Sequence, residues 1–397
     1  MEGSALKRFF RSRSLLILLI LFVISLAGCS GGTDDTPVEA LGDSQTVTIA
    51  AVGDIFLSDE MIEQAKQPDG SYDFLPAFAD VFSAVSDTDL TIGNFEGNFN
   101  GSPYGPSYGS YPDELANTLK NGGFDVLQTA NSYSVYAGMT GLERTKNIIE
   151  GKGIAALGTY VDSQDREENE VRLFEVNGVR VAFIAFTKSL SGMTLPDDVT
   201  GCVNMLYLDY MTDYQEINEE GILSAINKAK QLNADIIIAG LHWGSENISG
   251  ISESQNAIAD LMFTNGVDVI LGSHSHIVST VERRSVTTAD GERKDVVLAY
   301  SLGDFCEVES GECNLAPVLK MAFTKSPTGK ITLSKLYYST VAAVDLGADA
   351  PVRFMTLDVD SALTLYESNY YDRISTELYD RLSSKRESMQ SELNITP

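Results

Sequence analysis

Short apolar runs recur along the chain, and most of them stop at a small or polar residue. Residues 47–52, 90–92, 124–129, 154–157, 235–239, 267–271 and 296–300 have this form. Their length and bounding residues predict buried β-strands. Between them, 58–67, 73–85, 112–121, 141–151, 216–233 and 252–264 carry apolar residues at helical spacing. Residues 171–176 and 179–186 flank Asn177-Gly178, which predicts a hairpin. Residues 318–324 and 331–339 predict a further strand pair, and 162–170 reads as an acidic loop. The long Gly/Ser/Pro/Tyr-rich stretch 98–112 predicts an ordered loop, with Tyr104, Tyr108 and Tyr111 either lining a pocket or facing solvent. Strands that alternate with helices predict an α/β domain.

The residues just past the strand ends form a second pattern. Asp54 follows the first strand, Glu96 the second and Asn131 the third. His242, His274 and His276 follow later strands, and they are all of the chain's histidines. In an α/β sheet the carboxyl edge is where ligands bind. A set of Asp, Glu, Asn and His without thiolates suits a hard to borderline divalent ion: Mn, Zn, Fe or Mg. Two such ions bridged by a carboxylate can activate water and hold a phosphoryl oxygen. Asp54 also suits a helix N-cap, and Asn131 a turn. Trp243 reads as packing beside the site.

The ordered motifs Gly53-Asp54-Ile, Asn94-Phe-Glu-Gly97, Ala130-Asn131, His242-Trp-Gly-Ser-Glu246, Gly272-Ser-His-Ser-His276 and Tyr300-Ser-Leu-Gly-Asp-Phe305 resemble the CapA/PgsA family of poly-γ-glutamate capsule biosynthesis proteins. That family is similar to the calcineurin-like metallophosphoesterases, and the match spans roughly 46–309. The resemblance implies a four-layer α/β/β/α sandwich with its metal site at one sheet edge. It implies Asp54 and His276 on a first metal, Glu96 bridging, and Asn131, His242 and His274 on a second. It implies outer roles for Glu246 and Asp304, orienting histidines or water. Two positions depart from the phosphoesterase pattern. Phe56 stands where a histidine ligand is usual, and Tyr133 where the proton-donating histidine is usual. Tyr136 replaces an aspartate of the family motif. The first metal is then short of ligands, and Tyr133 and His242 are the candidate catalytic groups.

Composition narrows the partners. The chain has 397 residues, 43% hydrophobic, and a net charge of −28. That charge argues against nucleic acid or an anionic lipid surface as a partner. Lys7, Arg8, Arg11 and Arg13 precede an apolar run that closes on Leu26-Ala-Gly-Cys29. This pattern resembles a lipoprotein signal, with lipid attached at Cys29. The expected organisation is a signal peptide over 1–28, a flexible tether over 29–45, a CapA-like domain over 46–345 and a partly helical extension over 346–397. The expected location is the outer face of a bacterial cell membrane. Cys202, Cys306 and Cys313 remain after Cys29, and Cys306 and Cys313 are close enough in sequence to pair or to stay free. The expected function is synthesis, export or handling of poly-γ-glutamate or a related anionic envelope polymer, alongside a membrane polymer synthase complex. A metal-dependent phosphoesterase acting outside the cell and a non-catalytic metal-binding scaffold are the alternatives.

Overall fold

The computed structural model describes residues 43–195, 201–370 and 373–397. The segment 1–28, Cys29 and most of the tether therefore lie outside the described residues. Among the described residues, no helix is long and apolar enough to cross a membrane.

Two sheets carry the architecture. In the first, β1 (Gln45–Ile55), β2 (Leu90–Phe95), β3 (Val126–Gln128) and β4 (Ala155–Leu157) run parallel. On the other side of β1, β11 (Cys313–Lys325), β12 (Ile331–Asp345) and β13 (Phe354–Asp358) continue it antiparallel. Its strand order is β13-β12-β11-β1-β2-β3-β4. In the second sheet, β6 (Val179–Thr187), β7 (Ile236–His242), β8 (Val269–Ser273) and β10 (Arg293–Ala299) run parallel. Its edges are the antiparallel β5 (Arg172–Val176) and β9 (Val281–Thr287).

Strand alternation sets the layers, because successive side chains point to opposite faces. Ile49 and Ala51 of β1 and Ile92 of β2 meet Phe183 of β6, Ile238 of β7 and Leu271 of β8 between the sheets. The intervening Ala50 and Val52 face outward onto α1 (Asp59–Ala65), α4 (Glu114–Asn121) and α5 (Gly138–Gly151) through Met61, Leu115, Leu119 and Ile149. On the far side, Ile184, Ile237 and Ile270 pack on α7 (Glu219–Gln231) and α8 (Glu253–Thr264) through Ile222, Ile226, Ile258 and Met262. The result is the α/β/β/α sandwich. Each fully buried Ile or Phe of the inner layer contributes about 1.5–3 kcal/mol by removal from water.

Several elements differ from the sequence reading. The 162–170 stretch is not a loop. It forms α6 (Ser163–Asn169), capped by the Asp162 side chain, which accepts from Asp165 N at 2.8 Å. None of its residues is buried, so no apolar stripe marked it. The 73–85 region is two short turns, α2 (Leu75–Phe78) and α3 (Phe82–Val85), rather than one helix. β9 has one buried residue, Val281, and otherwise alternates half-buried and exposed positions, as an edge strand does. The 346–397 segment adds β13 to the first sheet, and α9 (Val359–Glu367) and α10 (Thr376–Leu393) pack on β11–β13 through Val359, Leu363, Leu378 and Leu382. Cys306 and Cys313 do not pair. Both are buried and free, as is Cys202, and Cys306 Sγ donates to the Phe56 carbonyl at 3.4 Å.

Candidate metal centre

The carboxyl ends of β1, β2 and β3 meet those of β6, β7 and β8 at one edge of the sandwich. The turn after β10 crosses to the other sheet there: Asp54 N donates to Gly303 O (2.8 Å) and Phe305 N donates to Asp54 O (2.9 Å). Two glycines permit this approach. A Cβ on Gly53 would stand 1.9 Å from Gly303 O, and one on Gly272 would stand 1.9 Å from Tyr300 O. No side chain fits at either place.

This closure places the polar strand ends against one another. Asp54, Glu96, Asn131, His242 and His274 are all buried, and His276 is partly so. One set of atoms, from Glu96, His242 and His274, lies within 4.8 Å of one another. A second set, from Asp54, Glu96 and His276, satisfies the same limit. Glu96 belongs to both sets and stands between them. Its Oε1 is 3.4 Å from His242 Nε2, and its Oε2 is 3.8 Å from His276 Nε2. The His242 and His274 rings lie 4.4 Å apart. Asp54 is no helix cap: Ser58 caps α1, while Asp54 Oδ1 accepts from Asn94 Nδ2 (2.6 Å) and Oδ2 from His274 N (3.1 Å).

The neighbouring groups fix the imidazoles. Asp304 Oδ1 is 2.7 Å from His276 Nδ1. Ser132 Oγ lies 3.0 Å from His242 Nε2, and Ser273 Oγ lies 3.3 Å from Nδ1. His274 and His276 have φ of 92° and 59°, a region that side chains other than glycine seldom occupy. The fold holds both in strained backbone, which is common where a side chain must be aimed.

Three buried polar atoms at this junction have no hydrogen-bond partner: Asn94 Oδ1, Glu96 Oε2 and His274 Nδ1. Each carries a lone pair, and a buried orphan of this kind costs about 1–3 kcal/mol. Three such acceptors at one junction suit a cation, and their oxygen and nitrogen chemistry suits a divalent one. The residues present therefore suit the expected metal.

Asn131 stands differently. Its Oδ1 accepts from Tyr133 N (2.9 Å) and its Nδ2 donates to Phe95 O (2.5 Å), which is the turn geometry the residue type also allows. The second lone pair of Oδ1 remains. Glu246 is exposed and, among the described residues, makes no hydrogen bond to a site histidine, so the orienting role expected of it falls to Asn94, Ser132, Ser273 and Asp304. Asn94, Ser132 and Ser273 were missed in the sequence. Asn94 was within reach: it lies two residues before Glu96, and strand periodicity puts both on one face. Ser132 and Ser273 carried no such signal.

Electrostatics follow burial. Burial raises the Asp54 carboxyl to about 7 against the pull of His276. Burial, then the charge of Asp54, raises Glu96 well above its ordinary value. Burial lowers His242 well below its usual value and His274 to about 4, so both are neutral with lone pairs available. Burial opposes the charge on His276 too, but the hydrogen bond to Asp304 and the charges of Glu96, Asp304 and Asp54 lift it to about 10.

An aromatic wall closes one side. Phe56 lies 5.6 Å from the His276 ring and 6.3 Å from the Tyr133 ring. Burial, then the charge of Glu96, pushes the Tyr133 phenol up to about 12. It holds its proton at neutral pH and releases it poorly to a leaving group. Of the loop tyrosines, Tyr111 is fully buried and its hydroxyl accepts from Leu57 N (3.3 Å), whereas Tyr108 is exposed. Trp243 is buried, and its indole N–H donates to Tyr300 O (2.9 Å), a packing role.

The family model described as "Bacterial capsule synthesis protein PGA_cap" matches residues 48–308. The PGA biosynthesis protein CapA of Bacillus subtilis (strain 168) is 25% identical over 295 residues, 72% of this chain and 70% of that protein. The capsule biosynthesis protein CapA of Bacillus anthracis is 26% identical over 275 residues, 66% of this chain and 60% of that protein's length. Among solved structures, the calcineurin-like phosphoesterase YfkN of Bacillus subtilis aligns over 75% of this chain and 91% of its own, with 16% identity and a TM-score of 0.41. With a match that runs from β1 past Asp304 and takes in every residue of the buried cluster, the chain belongs to the bacterial capsule synthesis protein family PGA_cap.

Proposed function

We propose that this chain is a lipid-anchored protein on the outer face of the cell membrane that grips poly-γ-glutamate, or a related anionic envelope polymer, through a divalent-metal centre during capsule synthesis. The observation that carries the reading is the pair of residue groups that share Glu96, Glu96–His242–His274 and Asp54–Glu96–His276, each with its ligand atoms within 4.8 Å of one another. Glu96, His242 and His274 would hold one ion, with Asn131 as the turn residue beside it, and Asp54, Glu96 and His276 would hold a second. A bound divalent ion supplies a positive charge for carboxylates and Lewis acidity for a carbonyl or phosphoryl oxygen. That charge reconciles a protein of net charge −28 with an anionic ligand.

The chain's own residues favour holding over cutting. Tyr133 keeps its proton, Phe56 offers no ligand, and Asp304 ties up His276 Nδ1. This arrangement supports the reading of a scaffold within a membrane polymer synthase complex. Hydrolysis, with His242 as the group nearest the bridging carboxylate, is the second reading, favoured by the neutral imidazole of His242.

The test is equilibrium binding of γ-linked glutamate oligomers to the full-length protein, with Mn²⁺ or Zn²⁺ and with chelator. Metal-dependent binding that His274→Ala abolishes is expected. Equal binding with chelator contradicts the reading. Steady turnover of phosphomonoesters, lost in His242→Ala, would replace it with the phosphoesterase. Cys29→Ala is expected to move the protein out of the membrane fraction.

A further inference from the structure

Beside the metal centre the two sheets do not close completely on one another. A cavity of about 10 Å³ remains between β2 and β3 of the first sheet and β7 and β8 of the second. Every residue around it is buried. Ile92 and Leu271 give it apolar walls, and Asn94, Gln128 and Ser273 bring polar side chains to it. A polar cavity of roughly this size takes one water when it offers two to four hydrogen-bonding partners.

Each of these side chains is committed on one side, which fixes what is left for the cavity. Asn94 Nδ2 donates to Asp54 Oδ1 (2.6 Å), and Asn94 Oδ1 is buried without a partner. Gln128 Nε2 donates to Ala130 O (2.9 Å). Gln128 Oε1 reaches across to β7, where a Cβ on Gly240 would stand 2.1 Å from it. Among the described residues that oxygen accepts no hydrogen bond. Ser273 Oγ lies 3.3 Å from His242 Nδ1, and the Leu241 carbonyl, at 3.5 Å, is a marginal acceptor for its proton. Two amide oxygens without donors and one hydroxyl therefore border a single space.

We propose that one internal water occupies this cavity, donating to Asn94 Oδ1 and Gln128 Oε1 and accepting from Ser273 Oγ, and that it thereby sets the tautomer of His242. The order of protons follows from the partners. Both water protons go to the amide oxygens, because neither oxygen can donate. A lone pair of the water takes the Ser273 proton. The Ser273 oxygen is left as an acceptor, so His242 Nδ1 carries a proton. His242 Nε2 keeps its lone pair, 3.4 Å from Glu96 Oε1 on the side of the expected ion. Asn94 Nδ2, 3.4 Å from Nδ1, is the competing donor. Without the water, it and the Ser273 hydroxyl both present protons to Nδ1, and the ring proton moves to Nε2, where it blocks an ion. The inference rests on the metal centre proposed above and adds two positioning residues to it, Gln128 and Ser273, which act on the ion through the water and His242. The water, not the ion, is then the partner of Asn94 Oδ1, while Glu96 Oε2 and His274 Nδ1 remain for the ion.

Two measurements on the full-length, metal-free protein test this. A high-resolution crystal structure is expected to show one ordered water within hydrogen-bond distance of Asn94, Gln128 and Ser273. Nitrogen-15 spectra of histidine-labelled protein at neutral pH read the tautomer, and the chain has only three histidines to assign. His242 is expected in the Nδ1–H form. Ser273→Ala and Gln128→Met are each expected to move it to the Nε2–H form and to weaken Mn²⁺ binding about tenfold. Ser273→Thr keeps the hydroxyl and is expected to keep the wild-type tautomer. Thermal melts confirm that each variant folds. A cavity without water, an Nε2–H imidazole in the wild type, or a tautomer unchanged in both Ser273→Ala and Gln128→Met overturns the proposal. A hydrated cavity with an Nδ1–H imidazole, in a protein that takes up no divalent ion, supports the proposal and removes the metal reading. Metal uptake with a dry cavity does the reverse.

Discussion

Replacing Glu96 with Gln separates the metal-bound and metal-free proteins more sharply than any other change. Glu96 is common to both clusters, so the substitution removes a charged ligand from each while preserving shape. In the metal-free protein the carboxyl is a burden, because its burial and the nearby Asp54 both oppose ionisation. Glutamine removes that burden, and the metal-free melting temperature is expected to rise by a few degrees at pH 8. With metal the order reverses. An ion at a hundred times its dissociation constant stabilises the wild type by about 2.7 kcal/mol. A domain of roughly 350 residues has an unfolding entropy near 0.7 kcal/mol per degree, so the midpoint rises by about 4 °C. A hundredfold loss of affinity leaves only about 0.4 kcal/mol, under about 1 °C. Differential scanning fluorimetry over a Mn²⁺ or Zn²⁺ titration reads both effects. A Glu96→Gln protein that gains as much from metal as the wild type would refute the shared-ligand assignment.

Other predictions follow from the same geometry. Asp54, Glu96 and His276 all have folded values above their unfolded ones, so each favours folding at low pH, and that contribution is lost as pH rises. His242 and His274 are lowered and act in the opposite sense below about pH 6.5, offsetting the carboxyls there. The metal-free protein is therefore expected to lose stability in urea melts from about pH 6.5 towards 10, while the increment from metal grows with pH as ligand protons are released. A metal-free stability that climbs through that range would contradict the charge assignment. Gly272→Ala is expected to cost about 3 kcal/mol in denaturant midpoint, because the new Cβ meets a backbone carbonyl and no side chain can yield; a loss under about 1 kcal/mol would show that the turn relaxes. Tyr133→Phe is expected to leave any hydrolytic rate within about threefold, and a drop of about a hundredfold would identify the phenol as a proton donor after all. Asp304→Asn is expected to weaken metal binding by about 10–100-fold through the loss of His276 orientation, and unchanged affinity would place Asp304 outside the centre.

Much of the fold was legible because the parallel strands at the heart of each sheet are largely buried on both faces. Runs such as 236–239 and 269–271 are continuous and apolar, and they end in the residues that matter. The elements that escaped notice lack such runs. β9 shows solvent one face, β13 lies at a sheet edge, and α6 buries nothing. The buried cluster was legible because its histidines are scarce and stand at strand ends. Its organisation was not. That Gly53 admits the turn after β10 from the other sheet, while Gly272 lets the start of that turn lie close on β8, depends on where that turn crosses. That Asn131 Nδ2 reaches the Phe95 carbonyl is a property of packing between distant segments.

The central claim is a divalent-metal centre shared between the two sheets. Equilibrium dialysis of the full-length protein against Mn²⁺ and Zn²⁺, with elemental analysis, measures it directly. The account predicts about one to two ions per chain for the wild type, and close to none for His274→Ala combined with Glu96→Gln. A wild-type chain that retains no divalent ion, or a double variant that retains as much as the wild type, would contradict it.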